Sequence, residues 1–202
     1  MNNLKKIILM GALVFAQIGL GQTREDAFAK SYLNEKAMKY TDAVNDIKSI
    51  FDAKKYEDNL RLGYLHYLNK NYLESQNYYL KAIDLMPFSI EPKLGIVMPY
   101  TQTGNISGIK TQYMNILKID PQNATVNYDL GYLLYNAKDY TSALGYFEKV
   151  VNLYPFSYYA VLMDAWCHLK LGKYPQASLL FNKVLLISPG DPSAKEGLGL
   201  IK

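Results

Sequence analysis

Two histidines, a single cysteine and an excess of tyrosine are the residues of this chain whose types could do chemistry: 19 Tyr stand against 7 Phe and 1 Trp in 202 residues. Imidazole serves as a general base or metal ligand, and a thiolate serves as a nucleophile. Neither use is expected here. His66 and His168 are 102 residues apart, three times an interval of 34 that recurs along the chain, so they hold the same place in two copies of one unit and are expected to pack. Cys167 has His168 beside it only in sequence. Successive residues of a helix point about 100° apart, so the pair does not face each other, and a buried, inert thiol is expected. The chain holds no phosphate-cradling glycine loop and no metal-ligand spacing. It is therefore expected to be no enzyme and to need no cofactor or metal. Asn105-x-Ser107 and Asn123-x-Thr125 match a glycosylation acceptor, a short pattern that bears on function only in a eukaryotic secretory route.

The elements that position these residues come from the repeat. Pro87, Pro121, Pro155 and Pro189 follow one another at intervals of 34. Leu62-Gly63 matches Leu130-Gly131, Asp164-Ala165 and Leu198-Gly199, while Tyr72-x-x-Ser75 matches Tyr140-x-x-Ala143 and Tyr174-x-x-Ala177. Tyr79 matches Tyr113, Phe147 and Phe181, and Ala82 matches Ile116, Val150 and Val184. The repeats run 56–89, 90–123, 124–157 and 158–191. Each is two helices that cannot hide their apolar faces alone. Gly63 and Gly131 allow close approach of the first helix, Ala143 and Ala177 of the second, and Phe147 and Phe181 fill the space between. Each proline ends a second helix, because it lacks the amide donor and disfavours helix in the residue before it. Asp191 suits a helix cap and Pro192 the first helical position.

This pattern resembles the tetratricopeptide repeat family over roughly residues 56–199. The resemblance implies an all-α, right-handed superhelical solenoid of antiparallel helix pairs, read as one continuous domain. Residues 23–55 are expected to form a degenerate N-terminal hairpin, with a helix from Ala27 to Lys39 and Tyr40-x-x-Ala43 opening its second helix, although Tyr40 to Tyr72 spans 32 residues. Residues 192–202 are expected to cap the other end. Repeat 90–123 departs most: Val97 replaces the motif glycine and Pro99 falls inside the first helix, which predicts a kink costing about 3 kcal/mol. The departure is either a local bend or drift without a role.

Three columns of residues at i, i+4 and i+7 lie on the side of the first helices away from the Leu-Gly pair. They are Leu60, Leu94, Tyr128 and Leu162; Tyr64, Met98, Tyr132 and Trp166; and Tyr67, Thr101, Tyr135 and Leu169. The resemblance places these columns in the concave groove that receives partners. Large exposed apolar patches mark interaction sites, and Tyr and Trp anchor interfaces. Some family members clamp a terminal carboxylate with basic residues there; the apolar columns argue against such a tail. The expected function is a scaffold that binds another protein or peptide segment, with Glu57, Glu91 and Lys170 at the edges. The alternatives are an envelope glycan or peptidoglycan binder, for which Asn136, Gln102 and Asp129 are a thin polar set, and a self-assembling homo-oligomer.

The first 22 residues read as a secretion signal: Lys5 and Lys6, the apolar run from Ile7 to Ala16, then Gly19-Leu20-Gly21 before Gln22. A cleaved signal implies a periplasmic or secreted protein; the alternative is an uncleaved anchor. Without Lys5 and Lys6 the chain keeps 20 basic against 18 acidic residues, a formal charge of +2 and too little to imply nucleic acid.

Overall fold

The computed structural model describes residues 23–201, so the expected signal at residues 1–22 lies outside the described residues. Every regular element among the described residues is helical. Helix α1 covers 23–36, and α2 is Tyr40–Lys48. Then come α3 (Tyr56–Leu68), α4 (Tyr72–Leu85), α5 (Glu91–Gly95), α6 (Val97–Gln102) and α7 (Ile106–Ile119). The chain continues through α8 (Ala124–Asn136), α9 (Tyr140–Leu153), α10 (Tyr158–Lys170), α11 (Tyr174–Ile187) and α12 (Pro192–Gly199). None of these is long and apolar enough to cross a membrane. The helices stack as antiparallel pairs, α3 on α4, α8 on α9 and α10 on α11. The chain forms two compact units, up to Ile109 and from Lys110.

Local chemistry sets the helix ends. Helices α4, α7, α9 and α11 each stop two residues before a proline. The residue between leaves the helical region, as at Met86 (φ −133°, ψ 77°), Tyr154 (−130°, 74°) and Ser188 (−131°, 88°). The turns inside the pairs share one left-handed residue: Met38, Lys70, Gly104, Lys138 or Gly172. Met38 also explains why α1 ends at residue 36, short of Lys39. Side-chain oxygens satisfy open amides at helix starts. Asn123 Oδ1 accepts from Val126 N at 3.1 Å, Asp139 Oδ1 from Ser142 N at 3.1 Å, and Asp191 Oδ1 from Ala194 N at 2.8 Å.

The first unit packs Ala43, Val44, Ile47, Leu62 and Leu65 with Phe28 and Tyr78; one core of the second gathers Val161, Ala165, Ala177, Phe181, Val184 and Ala194. In each unit a buried ring lies against bare helix backbone. A Cβ added to Gly63 would sit 2.9 Å from the Tyr79 ring, and one on Gly95 would sit 2.4 Å from the same ring. A Cβ added to Gly131 would sit 3.0 Å from Phe147, and one on Gly197 would overlap the Phe181 ring. Gly63 and Gly131 are the motif glycines. Gly95 and Gly197 lie outside the motif, yet 102 residues separate them, so they too share one place in the unit.

Pro99 breaks the first helix of its repeat into α5 and α6 at Ile96. It has no N–H to offer the Gly95 carbonyl, whereas Ile96 N still bonds Pro92 O and Tyr100 N bonds Ile96 O at 3.0 and 3.1 Å. Ile96 itself keeps helical dihedrals (φ −69°, ψ −19°), so the expected kink is a one-residue break in an otherwise continuing helical path. Helix α1 is pinned to α3 by ion pairs, Arg24 to the fully buried Asp58 and Glu35 to Arg61.

Gly197→Ala should lower stability by about 1–3 kcal/mol, because the methyl group overlaps Phe181. Gly145→Ala, in open space on α9, should raise it by up to about 1 kcal/mol through helix propensity. Urea denaturation separates the two; equal midpoints would mean that the ring does not limit the backbone.

Candidate functional site

Helix α3 presents Leu60 and Tyr64 one turn apart. Phe28, Tyr32 and Glu35 of α1 stand on one side of them, and Met98 of α6 on the other. Together with Glu57, Arg61, Tyr79, Glu91 and Gly95 these residues line a half-open cavity of about 530 Å³ in the first unit. Three of the sequence-derived groove residues, Leu60, Tyr64 and Met98, therefore meet at one site. Tyr67 does not join them; its ring lies 6.1 Å from Tyr72 of α4. Leu94 is exposed on α5, and Thr101 turns its hydroxyl back to the Val97 carbonyl at 2.8 Å.

The charged groups of the cavity are mostly carboxylates. Arg61 is buried and each of its three side-chain nitrogens makes a hydrogen bond within the unit. Nη1 bonds Glu35, while Nε and Nη2 bond Ser31 Oγ at 3.3 and 3.0 Å. Its guanidinium also lies 3.9 Å from the centre of the Tyr32 ring. Burial, with the Glu35 charge behind it, holds the Tyr64 hydroxyl above its ordinary pKa. Tyr56 donates to Glu91 Oε2 at 3.2 Å and lies 3.0 Å from Ser89 Oγ.

The columns of the second unit are spent differently. Tyr128 stacks on Tyr132 at 6.4 Å and meets Tyr159 edge-on at 6.5 Å, and Tyr132 and Tyr159 are exposed. Tyr135 packs against Tyr140 at 5.2 Å, and burial pushes its hydroxyl up to about 12. Leu169 is buried, and Leu162 and Trp166 pack against the same core. The Trp166 indole N–H donates to Ser193 Oγ at 2.9 Å, so the C-terminal helix already engages that ring. Asp129, one of the polar groups weighed for a glycan, accepts from the Tyr113 hydroxyl at 3.3 Å.

Both histidines are buried, and His66 stacks on Tyr78 at 5.2 Å. Burial pushes the Cys167 thiol up to about 12, leaving it without nucleophilic character. Sequence reading missed the carboxylate beside His168: Asp164 Oδ1 faces its Nε2 at 3.3 Å, four residues earlier on the same helix. The i, i+4 spacing was the signal, hidden because Asp164 sits in the Leu-Gly column. Burial raises Asp164 to about 7, helped by Glu148 and opposed by Lys183, and burial lowers His168. Among the described residues no group of three or more His, Cys, Asp and Glu side chains is placed to hold a metal.

A carboxyl whose pKa is raised on folding favours the fold below its unfolded value and loses that contribution as pH climbs to the folded value. Asp164 therefore erodes stability between pH 3.8 and about 7, on the order of 1–4 kcal/mol. His168, lowered on folding, works in the opposite sense around its ordinary value. Asp164→Asn should match the parent at pH 4 and exceed it in urea midpoint at pH 8. Parallel pH profiles for the two proteins would refute the assignment.

Residues 59–88 and 134–201 each match a family model of the tetratricopeptide repeat. No curated protein matches the chain in sequence. Among solved structures, a tetratricopeptide repeat protein from Parabacteroides merdae is 22% identical, with a TM-score of 0.74 over 89% of this chain and 72% of that one. A MamA protein is 16% identical, with a TM-score of 0.71 over 83% and 92% of the two chains. MamA of AMB-1 is 18% identical, with a TM-score of 0.70 over 87% and 94%. At these identities the likeness to solved structures is one of fold. The repeat models, the 34-residue period and the stacked helix pairs agree: the chain carries tetratricopeptide repeats in a stack of antiparallel helix pairs of that kind.

Proposed function

We propose that this chain is an exported scaffold that binds another protein, and that the cavity on α3 is where it holds the partner. Tetratricopeptide repeats generally serve as protein-interaction scaffolds, which sets the class of function. The cavity supports the finer reading. It has the size of a ligand pocket, roughly 300–1,000 Å³ in general. Apolar and aromatic side chains, Phe28, Leu60, Tyr64 and Met98, supply most of its wall, and a few polar groups stand among them. Such walls gain by excluding water when an apolar side chain enters, and aromatic residues at a concave centre carry much of the energy of protein interfaces.

In the second unit the exposed Tyr132 and Tyr159 give a flatter aromatic surface beside Tyr128. We place the primary contact in the first unit, because burial of an anchor needs concavity. Export rests on Lys5, Lys6 and the apolar run that follows them; N-terminal sequencing of the mature protein from its host would find a new terminus near Gln22, and an intact Met1 would refute it.

A photo-cross-linking residue at Tyr64 tests the binding face in the native host. It should capture a discrete partner protein, and the capture should fall at least fivefold when Leu60→Ala and Met98→Ala are added. The same residue at Leu73, exposed on α4, should not capture it. Capture from Leu73 alone would overturn the proposal. Adducts from Tyr64 only with a second copy of the chain, or with envelope polysaccharide, would replace it by self-assembly or glycan binding.

A further inference from the structure

We infer that the α3 cavity takes a partner segment carrying a lysine or arginine next to a bulky apolar side chain. The inference rests on the reading above that this cavity holds the partner, and it specifies the partner's chemistry. Three carboxylates, Glu35, Glu57 and Glu91, line the cavity against a single guanidinium, Arg61. That guanidinium is committed to Glu35, to Ser31 Oγ and to the face of Tyr32, and is buried. Buried and held by these contacts, it presents little surface to a carboxylate from outside. The nearest cation on α5, Lys93, is likewise buried, with Nζ donating to the carbonyls of Pro87 at 2.5 Å and Ser89 at 2.8 Å.

An incoming anion would therefore meet Glu57 and Glu91 with no available cation among the lining residues. An incoming cation would meet two exposed carboxylates beside an apolar wall. Glu57 and Glu91 are 34 residues apart and open α3 and α5, so they hold the same place in successive repeats. Later repeats carry Thr125 and Tyr159 there, so the paired charge belongs to the first unit. The Tyr56 hydroxyl donates to Glu91, which orients that carboxylate at the start of α5. A lysine or arginine stem can lie along Tyr64 and Met98 while its head group reaches a carboxylate, and the adjacent apolar side chain fills the remaining volume.

The test is fluorescence polarisation of the full chain with acetylated, amidated nonapeptides in which a central Leu-Phe pair is flanked by lysines, glutamines or glutamates. Lysine-flanked peptides should bind tightest and weaken between 50 and 300 mM salt. Glu57→Gln with Glu91→Gln should weaken them by roughly three- to tenfold and flatten the salt response, leaving glutamine-flanked peptides unchanged. Both glutamates are exposed, and circular dichroism of the variant checks that it folds. If all three peptides bind alike, or if the double variant binds lysine-flanked peptide as the parent does, the charge inference falls while the scaffold reading stands. If no peptide binds although cross-linking at Tyr64 still captures a partner, the inference also falls and the scaffold reading again survives. Loss of that cross-link as well would remove both.

Discussion

The structure depends on aromatic rings pressed against helix backbone that carries no side chain. Tyr79, Phe147 and Phe181 are buried at one place in their repeats, and each meets at least one glycine where an added methyl group would crowd or overlap it. The contact sets how closely a first helix approaches the second helix beside it. Dense interiors tolerate such a fit only within narrow limits, so the ring and the glycine constrain each other. In the first unit the same contact helps form the candidate site: Tyr79 and Gly95 both line the cavity while they pack against each other. A change that loosened the packing would reshape the site with it.

One repeat template has two outcomes, and neighbouring residues decide between them. On α3 the outward face stays open because α1 is held to one side by Arg24–Asp58 and Glu35–Arg61. On α10 the equivalent face is consumed: Leu162 and Trp166 pack on the Phe181 core, Leu169 is part of it, and Ser193 accepts the indole proton. Tyr158 adds a second tie, donating to Asp191 at 2.7 Å, in the place where Tyr56 reaches Ser89 in the first unit. Asp191 thus caps α12 and receives the Tyr158 hydroxyl at once.

The periodic features were the legible ones. Pro87, Pro121, Pro155 and Pro189 marked where second helices stop, since the effect of proline on its own amide and on the preceding residue is local. Helix spacing also gathered Leu60 and Tyr64 onto one face. It could not say what covers a face, because that is set by residues distant in sequence. Tyr67 and Tyr135 pair with Tyr72 and Tyr140 across their own hairpins, and Trp166 meets Ser193, 27 residues on. The role of Arg61 was hidden for the same reason, since Ser31, Tyr32 and Glu35 come from a helix whose spacing departs from 34. Gly95 and Gly197 escaped notice because they lie outside the motif and gain meaning only against the neighbouring ring.

The claim that the α3 cavity is the binding surface is tested most directly by methionine-methyl NMR of the full chain, titrated with the partner captured through Tyr64. Met98 lines the cavity, while Met114 and Met163 belong to the second unit. The Met98 signal should shift and saturate at one partner per chain while Met163 stays in place. A silent Met98 beside a shifting Met114 or Met163 would contradict it.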